Sequence, residues 1–503
     1  MFMTTLDGDT AYLLVSSALV MLMTPGLAYF YGGLLRKKNI LSMLLWCIAA
    51  LAIGSIIWVL YGYSLAFNPY SDPSSLGLSA AGLLGWAQAT GTDLTPFALY
   101  LAFNLFSFAF MFGSAPFIGG LGWALFNGVG QEPFTLYSTT IPHLAFAIFQ
   151  CMFACITVAL ISGAFAERVK FRSFLIFLIV WFTVVYCPVA HWVWSAGGWL
   201  RGPGWLISTY ISGWLTGTLG SWLSGLGIPS TLLPYVTAYV PQMVTYIMGY
   251  LPLGALDFAG GTVVHINAGF AALAAAIVAG KRKGLGKDPM VPHNTTYVVL
   301  GTALLWFGWF GFNSGSALAA NGLAANAFVV TNTAAAAAAC SWLALSWITR
   351  GRPSVIGTCT GAIVGLVAIT PASGFVNVPT AIIIGLVASP LSYGAIKLKD
   401  RLQLDDSLDV WACHGVGGVW GALATGIFAT IAVNSAGSNG LLFGNPIQLI
   451  IQAFSVVVVA SFSFIVSLVI LKIIDKVLGL RVSQNEEAVG LDLSQQIEEG
   501  YGG

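Results

Sequence analysis

This chain predicts an all-α polytopic membrane protein. Eleven transmembrane helices are expected, as an inverted five-plus-five repeat plus a final helix, with the N-terminus outside and the C-terminus in the cytoplasm. Three observations carry the expectation. Of 503 residues 57% are hydrophobic and 7% charged, with a mean hydropathy of +0.86; water cannot solvate so apolar a surface, so the solvent is lipid. Apolar runs of about 20 residues, long enough to span a hydrocarbon core, recur along the whole chain. Basic clusters follow only every second run, which is the signature of a cytoplasmic face.

The elements follow in order. Run one, 10–34, comes after "MFMTTLDGDT", which holds two aspartates and no basic residue. A secretory signal would need a positive start, so this run is expected to stay as a helix. "RKK" (36–38) separates it from run two, 41–67. Run three, 140–164, is followed by "ERVKFR" (167–172), and run four is 172–195. Run five, 258–280, precedes "KRKGLGK" (281–287), and run six is 295–314. Run seven, 325–349, precedes "RGR" (350–352), and run eight is 354–372. Run nine, 378–397, leads into "KLKDR" (397–401), and run ten is 411–432. Run eleven, 447–474, has Lys476 and Arg481 behind it. Of 19 basic residues, Arg201 alone falls on the opposite side. A miscounted helix would scramble this alternation.

The membrane domain is thus expected over 1–475 and a cytoplasmic tail over 476–503. Two further apolar stretches, near 69–135 and 200–253, fall outside and include 97–112 and 205–223. Parity requires each to cross the membrane an even number of times or not at all, and packed extracellular caps are favoured over extra hairpins. The seven cysteines stand singly in apolar runs with no CxxC pair, so no metal site is expected. No cofactor is expected either. A net charge of +1 gives no reason to expect a nucleic acid partner.

Two histidines stand out. "GGTVVHINAGFAAL" in run five holds His265, and "WACHGVGGVWGALATG" in run ten holds His414. Ionisable groups inside a membrane usually mark a pathway. The two host helices are five apart in order and so run in opposite directions, as an inverted repeat requires. Gly260, Gly261 and Gly269 in one, and Gly415, Gly417, Gly418 and Gly421 in the other, would let the backbones approach closely. A lone histidine on an apolar helix is ordinarily a satisfied core residue, but two at matching positions favour function. Haem ligation is the rival reading. Membrane haem proteins generally use two axial pairs along two helices, whereas each helix here has one, and His143, His191 and His293 lie near helix ends or in loops.

Several blocks surround these helices: "MTPGLAYFYGGLLRKKN" (23–39), "IPHLAFAIFQCMFACITVALISGAFAERVKF" (141–171), "YCPVAHWVW" (186–194), "LLWFGWFGFNSGSA" (304–317), "LDDSLDVWACHGVGG" (404–418) and "GLRVSQNEEAVGLD" (479–492). With the opening of run five they closely resemble the ammonium transporter (Amt/Mep/Rh) family, on its Amt side. The resemblance covers all eleven runs and the tail. It implies an outer vestibule for ammonium (with methylammonium as analogue) at Trp194, Phe153 and Ser316, and a gate of stacked rings at Phe153 and Phe312. It implies a pore lined by His265, His414 and Trp309, and a structural aspartate at Asp257. It further implies a homotrimer in the cell membrane, with the tail lying along the cytoplasmic face near the docking surface of PII signalling proteins. The two outer inserts depart from the family pattern and leave access to the vestibule open.

The residue chemistry fits these roles. An aromatic face and a hydroxyl replace part of a cation's hydration, the ring supplying about 0.5–2 kcal/mol. Without the motif match, such aromatics read as packing or interfacial residues. Asp257 precedes run five, where a carboxylate caps free amides, shapes the vestibule and aids cation recruitment electrostatically. Moving a bare cation through hydrocarbon costs on the order of tens of kcal/mol, so deprotonation at the mouth and passage of neutral ammonia is the expected route, with net electrogenic uptake implied by the resemblance. Alternatives are an ammonium sensor, for which 476–503 holds no recognisable signalling domain, and an Rh-like passive channel for ammonia or carbon dioxide. The sequence holds no catalytic nucleophile arrangement or nucleotide motif, so it is not expected to be an enzyme.

Overall fold

The computed structural model describes residues 6–69, 117–201 and 254–501. Among them the regular elements are helical, and the sole strand-like feature is an isolated antiparallel bridge between Val169 and Arg481. Nine of the described helices are long and apolar enough to cross a membrane. The apolar stretches 97–112 and 205–223 lie outside the described residues, and what is described of 117–135 is turns with one short 3-10 helix, Ala124–Phe126. The chain divides into two compact units: 1–59 with 129–186 and 256–503, and 60–128 with 187–255.

The first unit contains α1 (Asp7–Leu34), α2 (Ile40–Ile57), α3 (His143–Phe165) and α4 (Phe171–Trp181). It continues with α5 (Gly261–Ala279), α6 (Thr295–Gly315), α7 (Gly322–Arg350) and α8 (Val355–Ile369). Last come α9 (Val378–Arg401), α10 (411–428) and α11 (Pro446–Leu478). Local chemistry sets the starts. Asn294, Asn321, Ser354 and Asn377 each accept a backbone N–H from the first turn of α6, α7, α8 and α9. Pro446 opens α11, where its missing N–H is no loss. Gly351 ends α7 at φ 71°, a left-handed stop that glycine takes without a Cβ clash.

Glycines also set the helix pairing. A Cβ on Gly301 would lie 2.3 Å from the Phe30 nitrogen, and one on Gly308 2.6 Å from the Leu19 carbonyl. One on Gly311 would lie 2.7 Å from the Ser16 carbonyl. As the number rises on α6 it falls on α1, so the two helices run antiparallel at backbone contact. At 15 residues α8 is short, because the chain leaves the helix at Thr370 and Pro371 and runs on, still buried, to Val376.

In the second unit, helices Tyr63–Phe67 and Cys187–Trp194 are joined by buried polar contacts. His191 Nδ1 lies 3.1 Å from the Ala66 carbonyl, and Ser64 Oγ both donates to Gly120 and accepts from the Trp123 amide.

Composition alone would leave the tail disordered, but it is folded. Ser483 and Glu486 form a reciprocal capping box on the short helix Gln484–Val489. Arg481 donates to the carbonyls of Ala279 and Lys281 and pairs with Glu487 at 2.7 Å. Asp492 accepts from the amides of Leu41 and Ser42 and from the Ser42 hydroxyl. Two buried carboxylates thus tie the tail to the first turn of α2, through Asp492, and to the loop after α5, through Glu487 and the Lys283 amide.

Candidate functional site

Where α5 and α10 cross, a Cβ on Gly269 would lie 2.2 Å from the Gly415 nitrogen. One on Gly418 would lie 3.1 Å from the Gly261 carbonyl. The register is again antiparallel, and only glycine permits so close an approach. His265 and His414 meet at this crossing with ring centroids 5.3 Å apart and Nδ1 atoms 3.2 Å apart. Both rings are buried.

One hydrogen bond between two Nδ1 atoms has a fixed consequence. One ring must carry its proton on Nδ1 and the other must accept there. The donor ring then presents a bare Nε2 and the acceptor ring an Nε2–H. Two imidazolium rings would set N–H against N–H, so this geometry belongs to a pair with at most one extra proton. His265 Nε2 has no hydrogen-bond partner within the protein.

Each histidine lies in a widened, π-type turn that begins its helix, Gly261–Ile266 in α5 and Trp411–Val416 in α10. The His265 amide reaches back five residues to the Gly260 carbonyl at 3.0 Å. Such turns re-aim side chains and recur at functional sites. An aspartate stands eight residues before each histidine. Asp257 Oδ1 accepts from Gly260, and its Oδ2 from Thr262 and Val263, all at 3.0 Å. Asp406 Oδ2 accepts from the Trp411 amide at 2.7 Å. Burial pushes both carboxyls up to about 6, against the downward pull of these amides.

Aromatic rings continue from the histidines. Trp309 lies 5.3 Å from His265 between centroids, Phe312 lies 6.0 Å from it, and Phe312 stacks on Phe153 at 4.2 Å. Ser316, half-buried one turn further along α6, donates to the Phe312 carbonyl at 2.9 Å. Trp309 is held by a polar chain. Its Nε1 donates to Thr370 at 2.9 Å, Thr370 donates to Leu366 and Asn313, and Asn313 donates to Thr331 at 2.9 Å.

Below these rings lies a narrow enclosed cavity of ≈ 10 Å³, about the room one water-sized molecule needs. Both histidines, Trp309, Phe312, Tyr31 and Ile363 are among the residues that line it. Nearly all its surface is apolar apart from the histidines, and the Tyr31 hydroxyl is turned onto the Leu160 carbonyl at 3.1 Å.

Of the residues singled out from sequence, Phe153, Phe312, Ser316, Trp309, His265, His414 and Asp257 all fall in the first unit. All but Asp257 form one run of contacts, and Asp257 caps the helix that carries His265. Trp194 belongs to the second unit and ends its helix Cys187–Trp194, where its carbonyl accepts from Arg201. Sequence reasoning missed Tyr31, the Thr370–Asn313–Thr331 chain, and Asp406. The spacing "DFAGGTVVH" against "DSLDVWACH" was a legible signal for the last of these.

The Ammonium Transporter Family matches residues 11–103 and 93–501. The chain is 42% identical over 496 residues to an ammonium transporter of Bacillus subtilis, covering 98% of each. It is 41% identical over 497 residues to ammonium transporter Amt1 of Archaeoglobus fulgidus, covering 98% of this chain and 99% of that one. Among solved structures, Saccharomyces cerevisiae Mep2 superposes with a TM-score of 0.72 at 31% identity, covering 95% and 91%. A sensor Amt protein superposes with the same score at 27% identity, covering 97% and 98%.

Proposed function

This chain belongs to the ammonium transporter family, and from that premise we propose how it transports ammonium. Ammonium is recruited at the outer mouth by Trp194, Phe153 and Ser316 and gives up its proton near the stacked pair Phe153 and Phe312. Ammonia alone then enters the cavity beside His265 and His414. Proton and ammonia take separate routes, and uptake is electrogenic. Eleven spans, an inverted five-plus-five repeat, an outer N-terminus and a cytoplasmic tail complete this reading, as do a homotrimer in the cell membrane and a PII-type protein at the cytoplasmic face.

One observation carries the mechanism: the cavity beyond the stacked rings is dry-walled, water-sized and served by a hydrogen-bonded imidazole pair. A potassium ion has no proton to release, so it would have to enter this space stripped of water, at a cost on the order of tens of kcal/mol. Ammonia is uncharged and finds an N–H donor and a bare nitrogen on the two rings. Asp257 enters as a cap rather than an ion ligand, since both its oxygens are already taken by amides.

The test is electrical. In planar-membrane or solid-supported recordings on the purified protein, ammonium and methylammonium should drive current, while potassium and tetramethylammonium should not. Tetramethylammonium current comparable to that of ammonium would defeat the deprotonation step. A sensor reading draws on the likeness to the sensor Amt protein alone, and flux into liposomes separates it from transport.

A further inference from the structure

Asp257 and Asp406 hold matching places, eight residues before a pore histidine and at the start of a widened first turn. Their hydrogen bonding differs. Asp257 spends both oxygens on three amides. Asp406 spends Oδ2 on the Trp411 amide, with the Val410 amide also acting on the carboxylate, while Oδ1 has no hydrogen-bond partner. The residue is 1% exposed. A buried carboxylate oxygen without a donor is an expensive arrangement unless the site is used.

Its surroundings sharpen the point. On α9, Lys399 lies 3.2 Å from the Asp406 carbonyl oxygen, but its ammonium is paired with Asp409 at 2.5 Å. Arg282 is bound to Asp405 and Glu167, and Arg168 donates to the Asp405 carbonyl and to Ser407. Tyr31 on α1 and Cys413 on α10 complete the titratable groups within electrostatic reach. Each nearby cation is therefore engaged by another acceptor. Tyr31, a cavity wall, and Val410, four residues after Asp406, both press on the face of Gly163. Asp406 thus stands behind the Tyr31 end of the cavity.

We infer that Asp406 is a proton station at the cytoplasmic end of the conduit, and that Asp257, its twin, is a structural cap. The inference rests on the electrogenic reading and the orientation proposed above. A proton arriving by a route separate from ammonia bonds to Oδ1 and converts the carboxylate to the acid. It then leaves to emerging ammonia: the O–H bond breaks, an N–H bond forms, and ammonium and the carboxylate result. No other reactant is needed. The carboxyl, held up at about 6 by burial, exchanges protons in a useful pH range.

The experiment uses full-length protein reconstituted in oriented proteoliposomes, with wild type, Asp406→Asn and Asp406→Glu compared. Asparagine keeps an oxygen to accept the Trp411 amide but cannot carry the proton. The expected result is unchanged thermal unfolding for Asp406→Asn with current reduced on the order of tenfold or more. Asp406→Glu should restore current, with its dependence on pH at the tail-bearing face displaced. Wild-type current and pH profile in Asp406→Asn would overturn the station and leave the transport reading intact. So would loss of current in both variants together with a lowered unfolding temperature, since that marks a cap alone. A wild-type protein that moves ammonia without any current would remove the electrogenic reading, and this inference with it.

Discussion

Gly269→Ala tests the geometry on which the histidine pair depends. The added Cβ would stand 2.2 Å from the Gly415 nitrogen and 2.4 Å from its Cα. Both obstacles are backbone, so neither can rotate away. Relief to ordinary contact needs the two helices to separate locally by about 1 Å, and overpacking of this kind costs about 1–3 kcal/mol. The same movement acts on a Nδ1–Nδ1 distance that is 3.2 Å at the start. An increase of about 1 Å takes it past any useful hydrogen-bond length.

Two readouts follow. Thermal unfolding of the detergent-solubilised protein should fall by several degrees, and ammonium-evoked current should fall with it. Gly394→Ala is the matched control: it lies in α9 with no atom within 4 Å of an added Cβ. There alanine relieves the helical penalty of glycine, about 0.5–1 kcal/mol, so stability should hold or rise and current should stay. If Gly269→Ala matches the wild type in both assays, the crossing is not as close as described, and the shared-proton account of the histidines loses its footing.

Other perturbations separate transport from packing. His265→Ala or His414→Ala should lower ammonium current or relax its selectivity against potassium; wild-type behaviour in both would take the imidazoles out of the mechanism. Phe312→Ala should leave a folded protein with altered gating because one face of the ring meets the cavity, whereas a loss of about 3–5 kcal/mol, usual for a core phenylalanine, would mark it as packing. Asp257→Ala strands three amides and should cost about 2 kcal/mol or more in unfolding measurements, with Asp257→Asn intermediate; equal stability of all three would refute the cap. Burial raises the carboxyl of Glu167, but Arg282 and Arg36 together pull it below its ordinary 4.5, and Arg282 with Arg168 likewise takes Asp405 below 3.8. Stability from these depressed groups is complete above the ordinary values and lost as pH falls through the folded ones, so hydrogen-exchange protection in loop 281–288, taken relative to the intrinsic rate at each pH, should be flat from pH 8 to 5 and fall only below roughly pH 4. Loosening already at pH 6 would contradict that sign.

The fold was legible because its two signals are coarse and repeated. Apolar runs and alternating lysine and arginine clusters survive without side-chain detail, since the membrane enforces them at every crossing. The histidines were legible because ionisable groups are rare there. What stayed hidden depends on backbone shape. Nothing in "GTVVHI" or "WACHGV" separates a widened turn from an ordinary one. Thr370, Asn313 and Thr331 look like filler in helical runs until Trp309 is seen to hang from them. The anchoring of the tail was hidden for a related reason. Glu487 and Asp492 read from sequence as ordinary surface carboxylates, yet they are buried against amides that only the folded chain presents.

On the proposed mechanism, the starts of α5 and α10 bear on why a cation would be refused. α5 and α10 bring their N-terminal ends toward the histidines from opposite directions, and each end carries a partial positive charge. That charge opposes ammonium and potassium alike, but by only about 0.3–1 kcal/mol per end, and the capping aspartates offset part of it. Stripping a monovalent cation of water costs on the order of tens of kcal/mol, and the walls of the cavity return little of it: the side chains of Leu27, Leu160 and Ile363 have no oxygen to offer, and the Tyr31 hydroxyl is turned away onto the Leu160 carbonyl. Dryness therefore outweighs the dipoles as the barrier. On the mechanism proposed above it would also account for selectivity, because a dipole would treat ammonium and potassium equally, whereas dehydration is escaped only by the ion that can leave its charge behind.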